Sequence, residues 1–267
     1  DEVVSLMQWA NKTGTPITPR GAGSGLAGAA VPCPGGVVCS FSAMDRIVRI
    51  DPDNLMVELE PGVVTNALDR ALEPHGLFFA GYPMSEDICF IGGNVAENAG
   101  GGRAIKYGVT ANYVLGAEIV TGSGEVLHLG GPHLKDVTGY NLLQLVVGSE
   151  GTLGLFTRIT LRLVPRPETR GVLLAAFTST ADAAKAVSLL RVSPHVHPSA
   201  IEFTDGPTAR ETNAALPDSA RSEIPGESEA LLLVEVEGSA GSVGAELVAA
   251  TSLIAECPGL SVESGST

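Results

Sequence analysis

Pro19-Arg20-Gly21-Ala22-Gly23-Ser24-Gly25-Leu26-Ala27-Gly28 carries glycine at four of ten positions, directly after Pro16 to Thr18, which reads as a short strand. Glycine reaches left-handed backbone angles without penalty and lets a ligand approach the main chain, so successive N–H groups converge on an anion. Arg20 adds a cation and Ser24 a hydroxyl donor. The same letters contain Gly23-x-Gly25-x-x-Gly28, the nicotinamide-dinucleotide fingerprint as written. That motif needs a helix opening on its last glycines. Here Ala29-Ala30-Val31-Pro32-Cys33-Pro34-Gly35-Gly36 follows, and its prolines and glycines forbid the helix. The stretch is a ligand-holding loop or a plain structural turn.

Outward from this loop the pattern is mixed. Val3, Val4, Leu6, Met7 and Ala10 recur at helical spacing over residues 3 to 13, and Gly14 stops that helix. Strands are read at Val37 to Phe41, Ile47 to Ile50 and Leu55 to Glu60, the last two joined by a turn at Asp51-Pro52-Asp53-Asn54. Ala67, Leu68, Ala71 and Leu72 form one apolar stripe, so Val64 to His75 is a helix ended by Gly76. Leu115 to Val120 and Glu125 to Leu129 flank Thr121-Gly122-Ser123-Gly124 as a hairpin. Ile159, Leu161 and Leu163 alternate with polar residues, marking a half-buried strand that Pro165 and Pro167 terminate. Beyond it come strand (Val172 to Phe177), helix (Ala181 to Arg191), strand (Ala200 to Thr204), a polar stretch, strand (Ala230 to Val236) and helix (Val243 to Ala255). A small sheet with helices on one face fits that order, and Gly206 to Ser228 reads as a mobile linker or surface loop. The fold class is α+β.

Two more segments are rich in small residues. Gly81 to Gly102 includes Pro83, Ser85, Ile91-Gly92-Gly93-Asn94-Val95-Ala96 and Asn98-Ala99-Gly100, leaving room for a flat or extended ligand against backbone. Gly148-Ser149-Glu150-Gly151-Thr152-Leu153-Gly154 follows the apolar run Leu142 to Val147, and Glu150 there either serves a ligand or caps a helix end.

Composition narrows the function classes. The 267 residues are 44% apolar, enough for a sizeable core, and no apolar run approaches the roughly 20 residues of a membrane-spanning helix. A net charge of −14 opposes nucleic-acid binding. Asp1-Glu2-Val3-Val4 has no secretory character, so a cytoplasmic location is expected, with membrane association only through partner subunits. Cys33, Cys39, Cys89 and Cys257 lack metal or redox spacing and read as buried, reduced thiols. His195-Val196-His197, flanked by Pro194 and Pro198, reads as an exposed turn, and no metal site is assigned.

In order, Pro19-Arg20-Gly21-x-Gly23-Ser24-Gly25-Leu26-x-Gly28, Ile91-Gly92-Gly93-x-Val95-Ala96 and Asn98-Ala99-Gly100-Gly101 are followed by Lys106-Tyr107-Gly108-Val109-Thr110 and Val114-Leu115-Gly116-x-Glu118. Lys135-Asp136-Val137-Thr138-Gly139-Tyr140 and Val147-Gly148-Ser149-Glu150-Gly151-Thr152-Leu153-Gly154 complete the series. It resembles the FAD-binding domain of the family that includes vanillyl-alcohol oxidase and p-cresol methylhydroxylase. The likeness is greatest to its 2-hydroxy-acid branch, the flavin subunit of bacterial glycolate oxidase and FAD-linked D-lactate dehydrogenase. Pro198-Ser199-Ala200-Ile201-Glu202-Phe203-Thr204-Asp205 also looks like that family's cap-domain strand.

The resemblance implies a two-subdomain FAD-binding domain over residues 1–165, N-terminally incomplete. Residues 166–267 would begin an α+β cap with an antiparallel sheet, C-terminally incomplete. It implies that Pro19, Arg20, Gly21, Ala22, Gly23, Ser24, Gly25, Leu26 and Gly28 wrap the FAD pyrophosphate. Pro83, Met84, Ser85, Ile91, Gly92, Gly93, Asn94, Ala96, Asn98, Ala99 and Gly100 would line the flavin and its chain, and Gly148, Ser149, Glu150, Gly151 and Gly154 would complete the groove. Members that attach FAD covalently through the first loop carry histidine after the second glycine; Ser24 stands there, so non-covalent FAD is expected. The implied reaction is oxidation of a small 2-hydroxy acid such as glycolate or D-lactate, with hydride passing to flavin N5 and electrons leaving to a protein or quinone acceptor. The same fold acting on an aromatic alcohol or in ether-lipid synthesis, or as a non-catalytic FAD-binding subunit, is the alternative. The family's carboxylate-holding arginine and metal-binding histidines lie beyond this chain, so no catalytic residue is assigned and the chain alone is expected to be inactive.

Overall fold

The computed structural model describes residues 1–221 and 224–266. Its elements in chain order begin with α1 (Glu2–Thr13), β1 (Ile17–Arg20), β2 (Val37–Ser40), β3 (Ile47–Asp51), β4 (Met56–Leu59), α2 (Thr65–Leu72) and β5 (Leu77–Phe78). They continue with α3 (Ile91–Glu97), α4 (Ala104–Tyr107), β6 (Val114–Val120), β7 (Val126–Gly130), α5 (Leu142–Val146), β8 (Leu155–Arg162) and β9 (Val164–Pro165). The last are β10 (Thr169–Phe177), α6 (Thr180–Val192), β11 (Ala200–Asp205), α7 (Gly206–Ala215), β12 (Ala230–Gly238), α8 (Ala240–Ile254) and β13 (Gly259–Ser266). The chain divides into two units, Asp1–Gly101 with Gly108–Arg166, and Gly102–Tyr107 with the residues from Pro167 onward.

The first unit is built on a five-stranded antiparallel sheet of order β3-β4-β8-β6-β7. Strand β8 is central, and its inward residues Ile159 and Leu161 are fully buried with Leu59 and Ile119. The period-2 alternation in the sequence is this burial pattern. The hairpin forms as read, with Val120 opposite Val126. A separate parallel pair joins β1 to β2, and that pairing leaves residues 21–36 as one long connection over the end of β1. No helix opens after Gly28.

The second unit is a four-stranded antiparallel sheet of order β11-β12-β10-β13. Leu173, Ala175 and Phe177 on β10 share one face with Leu232 and Val234 on β12, and α6 and α8 supply Leu190, Val243 and Ile254 to the same core. Ser179 caps α6 by accepting from the amides of Ala181 and Asp182.

Two sequence expectations need correction here. Gly206 to Ser228 is not simply a linker: it opens with α7, capped by the Asp205 carboxylate, which accepts from Thr208 N at 2.9 Å. Asp at the N-cap and Pro207 inside the first turn are the start signal that the polar composition masked. Helices also lie on both faces of this sheet, because α7 buries Ala209 against Ala176 and Leu231, which point opposite to the main core. Residues 222 and 223 of that stretch lie outside the described residues.

The hexapeptide Gly102–Tyr107 belongs to the second unit for an electrostatic reason. Glu237 on β12 has a fully buried side chain that meets Lys106 Nζ at 3.2 Å, Arg170 Nε at 3.6 Å and the Tyr107 hydroxyl. Glu235, two residues back on the same face, meets Arg103 Nε at 3.1 Å and accepts from Ser199 Oγ at 2.7 Å. Buried carboxylates need such partners, and the hexapeptide provides three of them.

Candidate functional site

The three glycine-bearing segments converge within the first unit. Arg20 ends β1 and the loop leaves the sheet at Gly21, whose ideal β-carbon position is 3.6 Å from Gly93 N in the first turn of α3. The corresponding position on Gly25 is 3.5 Å from Glu97 Oε1 at the other end of α3. The third segment is tied to the same helix by its backbone, Gly148 N donating to Val95 O at 3.0 Å and Glu150 N to Ala96 O at 2.8 Å. Gly151 in turn lies against the Pro19 ring.

Gly23 is one of two positions in the loop, with Gly28, whose left-handed backbone favours glycine. Its φ is +70°, and an added β-carbon would stand 2.8 Å from both Nε and Nη2 of Arg20. The guanidinium is thereby laid across the loop.

Between the segments lies a cleft of about 1060 Å³, counting the part open to solvent. Its walls include Pro19, Arg20, Gly21, Ala22, Gly23, Ser24 and Gly25 from the first segment. Pro83, Ser85, Gly92, Gly93, Asn94, Ala96 and Ala99 come from the second, and Glu150, Gly151 and Gly154 from the third. Eight of the sequence-proposed residues stand outside these walls: Leu26, Gly28, Met84, Ile91, Asn98, Gly100, Gly148 and Ser149. Leu26 and Met84 are exposed, whereas Ile91 is fully buried in the core. Asn98 turns its side-chain oxygen to Ala111 N at 2.9 Å, closing the end of α3. Asn94 lines the cleft, yet its Nδ2 is engaged with Thr65 Oγ1 at 2.8 Å. Glu150 sits at φ +53° in a turn, where its backbone amide closes the C-terminal turn of α3 through Ala96 O and its side chain stands in the cleft wall.

The sequence reading missed Ala29, Ala30, Phe41, Pro61, Cys89, Phe90, Glu97, Leu155 and Phe156. Seven of these lie within or directly beside the three segments, and Phe41 and Pro61 come from elsewhere in the chain. Cysteine usage also departs from the reading: Cys89 and Cys257 are buried, but Cys33 is exposed and Cys39 intermediate. Burial raises the Cys39 thiol above its ordinary range.

The donor set fits a dinucleotide. The walls offer glycine backbone and the Arg20 cation, as an anionic phosphate requires, and Phe41, Phe90 and Phe156 give apolar surface for a flat ring. Gly93 faces the cleft with nothing within 4 Å of its β-carbon position. The charged residues in the walls are Arg20, Glu97 and Glu150, and none forms a salt bridge among the described residues. Burial and then the charge of Glu150 raise the Glu97 carboxyl above its usual range.

The family profile described as "FAD binding domain" matches residues 1–130, and that described as "FAD linked oxidases, C-terminal domain" matches residues 166–265. The chain belongs to the FAD-linked oxidase family. Its cofactor is FAD. Glycolate oxidase subunit GlcD of Bacillus subtilis (strain 168) is 39% identical over 267 residues, which is 100% of this chain and 56% of that protein. D-lactate dehydrogenase of Archaeoglobus fulgidus is 40% identical over 205 residues, 77% of this chain and 45% of that protein. Among solved structures, an alkyldihydroxyacetonephosphate synthase matches with a TM-score of 0.85 at 23% identity, over 100% of this chain and 50% of that one. At that identity the likeness establishes the shared fold alone. This FAD-linked oxidase chain spans about half the length of the curated relatives it matches. No helix among the described residues is long and apolar enough to cross a membrane.

Proposed function

We propose that the protein takes part in FAD-linked oxidation of a small 2-hydroxy acid of the glycolate or D-lactate type, holding FAD non-covalently in this cleft. The observation that carries the reading is the convergence of three glycine segments on one cleft, in a chain whose relatives bear the names glycolate oxidase and D-lactate dehydrogenase. When bound, FAD supplies the two-electron sink for the reaction.

The chain's own residues divide the remaining work. The loop amides from Gly21 to Gly25 and the Arg20 guanidinium hold the phosphates, while the apolar side chains in the walls exclude water from the ring. Ser24 stands at the loop position and is too weak a nucleophile to tether the flavin without an activating base. Electrons leave to a protein or quinone acceptor. No described residue is assigned as the base or as the clamp for the substrate carboxylate.

The test is anaerobic mixing of the full-length gene product, loaded with FAD, with glycolate, D-lactate or an aromatic alcohol while visible flavin absorbance is followed. Bleaching by a 2-hydroxy acid is expected. Bleaching by the aromatic alcohol alone would overturn the substrate assignment.

A further inference from the structure

The cleft proposed to hold a dianionic pyrophosphate is lined by one cation and two carboxyl groups. With Glu97 and Glu150 both ionised, the walls carry net negative charge before the ligand arrives, in a chain whose formal net charge is already −14. Like charges brought together in a partly dry site repel strongly. Removing negative charge from the walls would favour the complex.

Glu97 is the group placed to do so. It is the last residue of α3, half-buried, with Oε1 3.5 Å from the ideal β-carbon position of Gly25 in the glycine loop. Its carboxyl has no hydrogen-bond or salt-bridge partner among the described residues, whereas Glu150 is exposed. The titratable and charged groups lining the cleft with it are Arg20 from the loop, Cys89 ahead of α3 and Glu150 from the third segment.

We propose that Glu97 enters the FAD complex as the neutral carboxylic acid and donates its proton as a hydrogen bond to the phosphate held by the glycine loop, making it a positioning residue for the cofactor. This rests on the reading of the cleft as the FAD site. The neutral form removes one repulsive charge and adds one donor where the backbone amides converge. Burial and Glu150 already favour protonation in the free protein, and a bound dianion favours it further.

The sign follows from linkage. A carboxyl whose pKa rises on binding takes up a proton from solvent as the complex forms. Affinity is then full below the pKa of the free protein, falls as pH rises, and levels off above the pKa of the complex. Between those limits the loss approaches tenfold per pH unit for one coupled proton.

FAD dissociation constants from flavin fluorescence, measured from pH 5.5 to 8.5 for the wild-type protein, Glu97→Gln, Glu97→Ala and Glu150→Gln, test this. Calorimetry in two buffers of different ionisation enthalpy counts protons in parallel. Wild-type affinity should decline as pH rises, with net proton uptake. Glu97→Gln, a neutral donor of the same shape, should bind with a flat profile and should hold FAD more tightly than wild type at pH 8.5. Glu97→Ala should also be flat but weaker than Glu97→Gln, and Glu150→Gln should keep the slope. Wild-type affinity that is flat with no proton uptake, or a Glu97→Gln that binds more weakly than wild type across the range, would mean that an ionised Glu97 accepts from a hydroxyl, and overturns the proposal while leaving the FAD site intact. Absence of FAD binding by the wild-type chain at every pH would overturn the site reading as well.

Discussion

Gly93 separates space that belongs to the ligand from space that belongs to the protein. It lies in the first turn of α3 with ordinary helical backbone, lines the cleft, and has no atom within 4 Å of its β-carbon position. Replacing it by alanine relieves a helix of glycine's backbone entropy, worth up to about 1 kcal/mol. The unliganded protein should therefore melt about 2 to 4 °C higher. Leucine at the same position projects into the cleft, and overfilling a formed site costs about 1 to 3 kcal/mol. That range corresponds to FAD binding weakened about 5- to 150-fold. Thermal denaturation with and without FAD, together with quenching of flavin fluorescence, reads both effects. Gly93→Leu should keep or raise the unliganded melting temperature and lose the FAD-induced rise. Wild-type FAD affinity in Gly93→Leu would show that the ligand does not occupy this space, and a lowered unliganded melting temperature would show that the protein itself does.

Other positions carry different consequences. Gly23→Val, at φ +70° and against Arg20, adds about 1 to 3 kcal/mol of backbone strain and displaces the guanidinium, so FAD titration should show at least about tenfold weaker binding. Glu60, 4% exposed, accepts from Arg46 N, Nε and Nη2, and these bonds hold its carboxyl below the usual range. Glu60→Gln should cost about 1 to 2 kcal/mol in urea unfolding at pH 7, toward the lower end because Arg46 is 75% exposed. The wild-type advantage is complete above the ordinary glutamate pKa and disappears as pH falls through the depressed one, so the two proteins should converge in acid. Ser179→Ala removes the α6 cap, costing about 1 kcal/mol of stability without changing FAD affinity.

Local constraints were legible in the sequence, and convergent ones were not. The alternation of β8, the hairpin of β6 and β7, the α2 stripe and the glycine loop each write their cause into neighbouring letters. Helix α3 escaped because Gly92-Gly93 near its start reads as loop, although close approach of Pro61 and the first segment is what those glycines permit. Helix α7 escaped because its polar composition outweighed its Asp205-Gly206-Pro207 start. The placement of Gly102–Tyr107 in the second unit depends on Glu235 and Glu237, more than 120 residues distant, and no local pattern announces it. Glu97 stood inside a segment already singled out, yet it gains meaning only when Glu150 and Gly25 are brought beside it. Leu26, Met84 and Asn98 adjoin wall residues in the sequence without lining the cleft themselves, because side-chain direction is set by turns and caps whose geometry the letters do not specify.

The central claim is that this cleft holds FAD, and holds it without a covalent bond. Purified protein incubated with FAD, freed of excess by gel filtration and then precipitated with acid, tests it most directly. A yellow protein that releases stoichiometric FAD into the supernatant, with Gly93→Leu remaining colourless under the same treatment, is the predicted result. Colourless wild-type protein, or flavin that stays with the precipitate, would contradict the account.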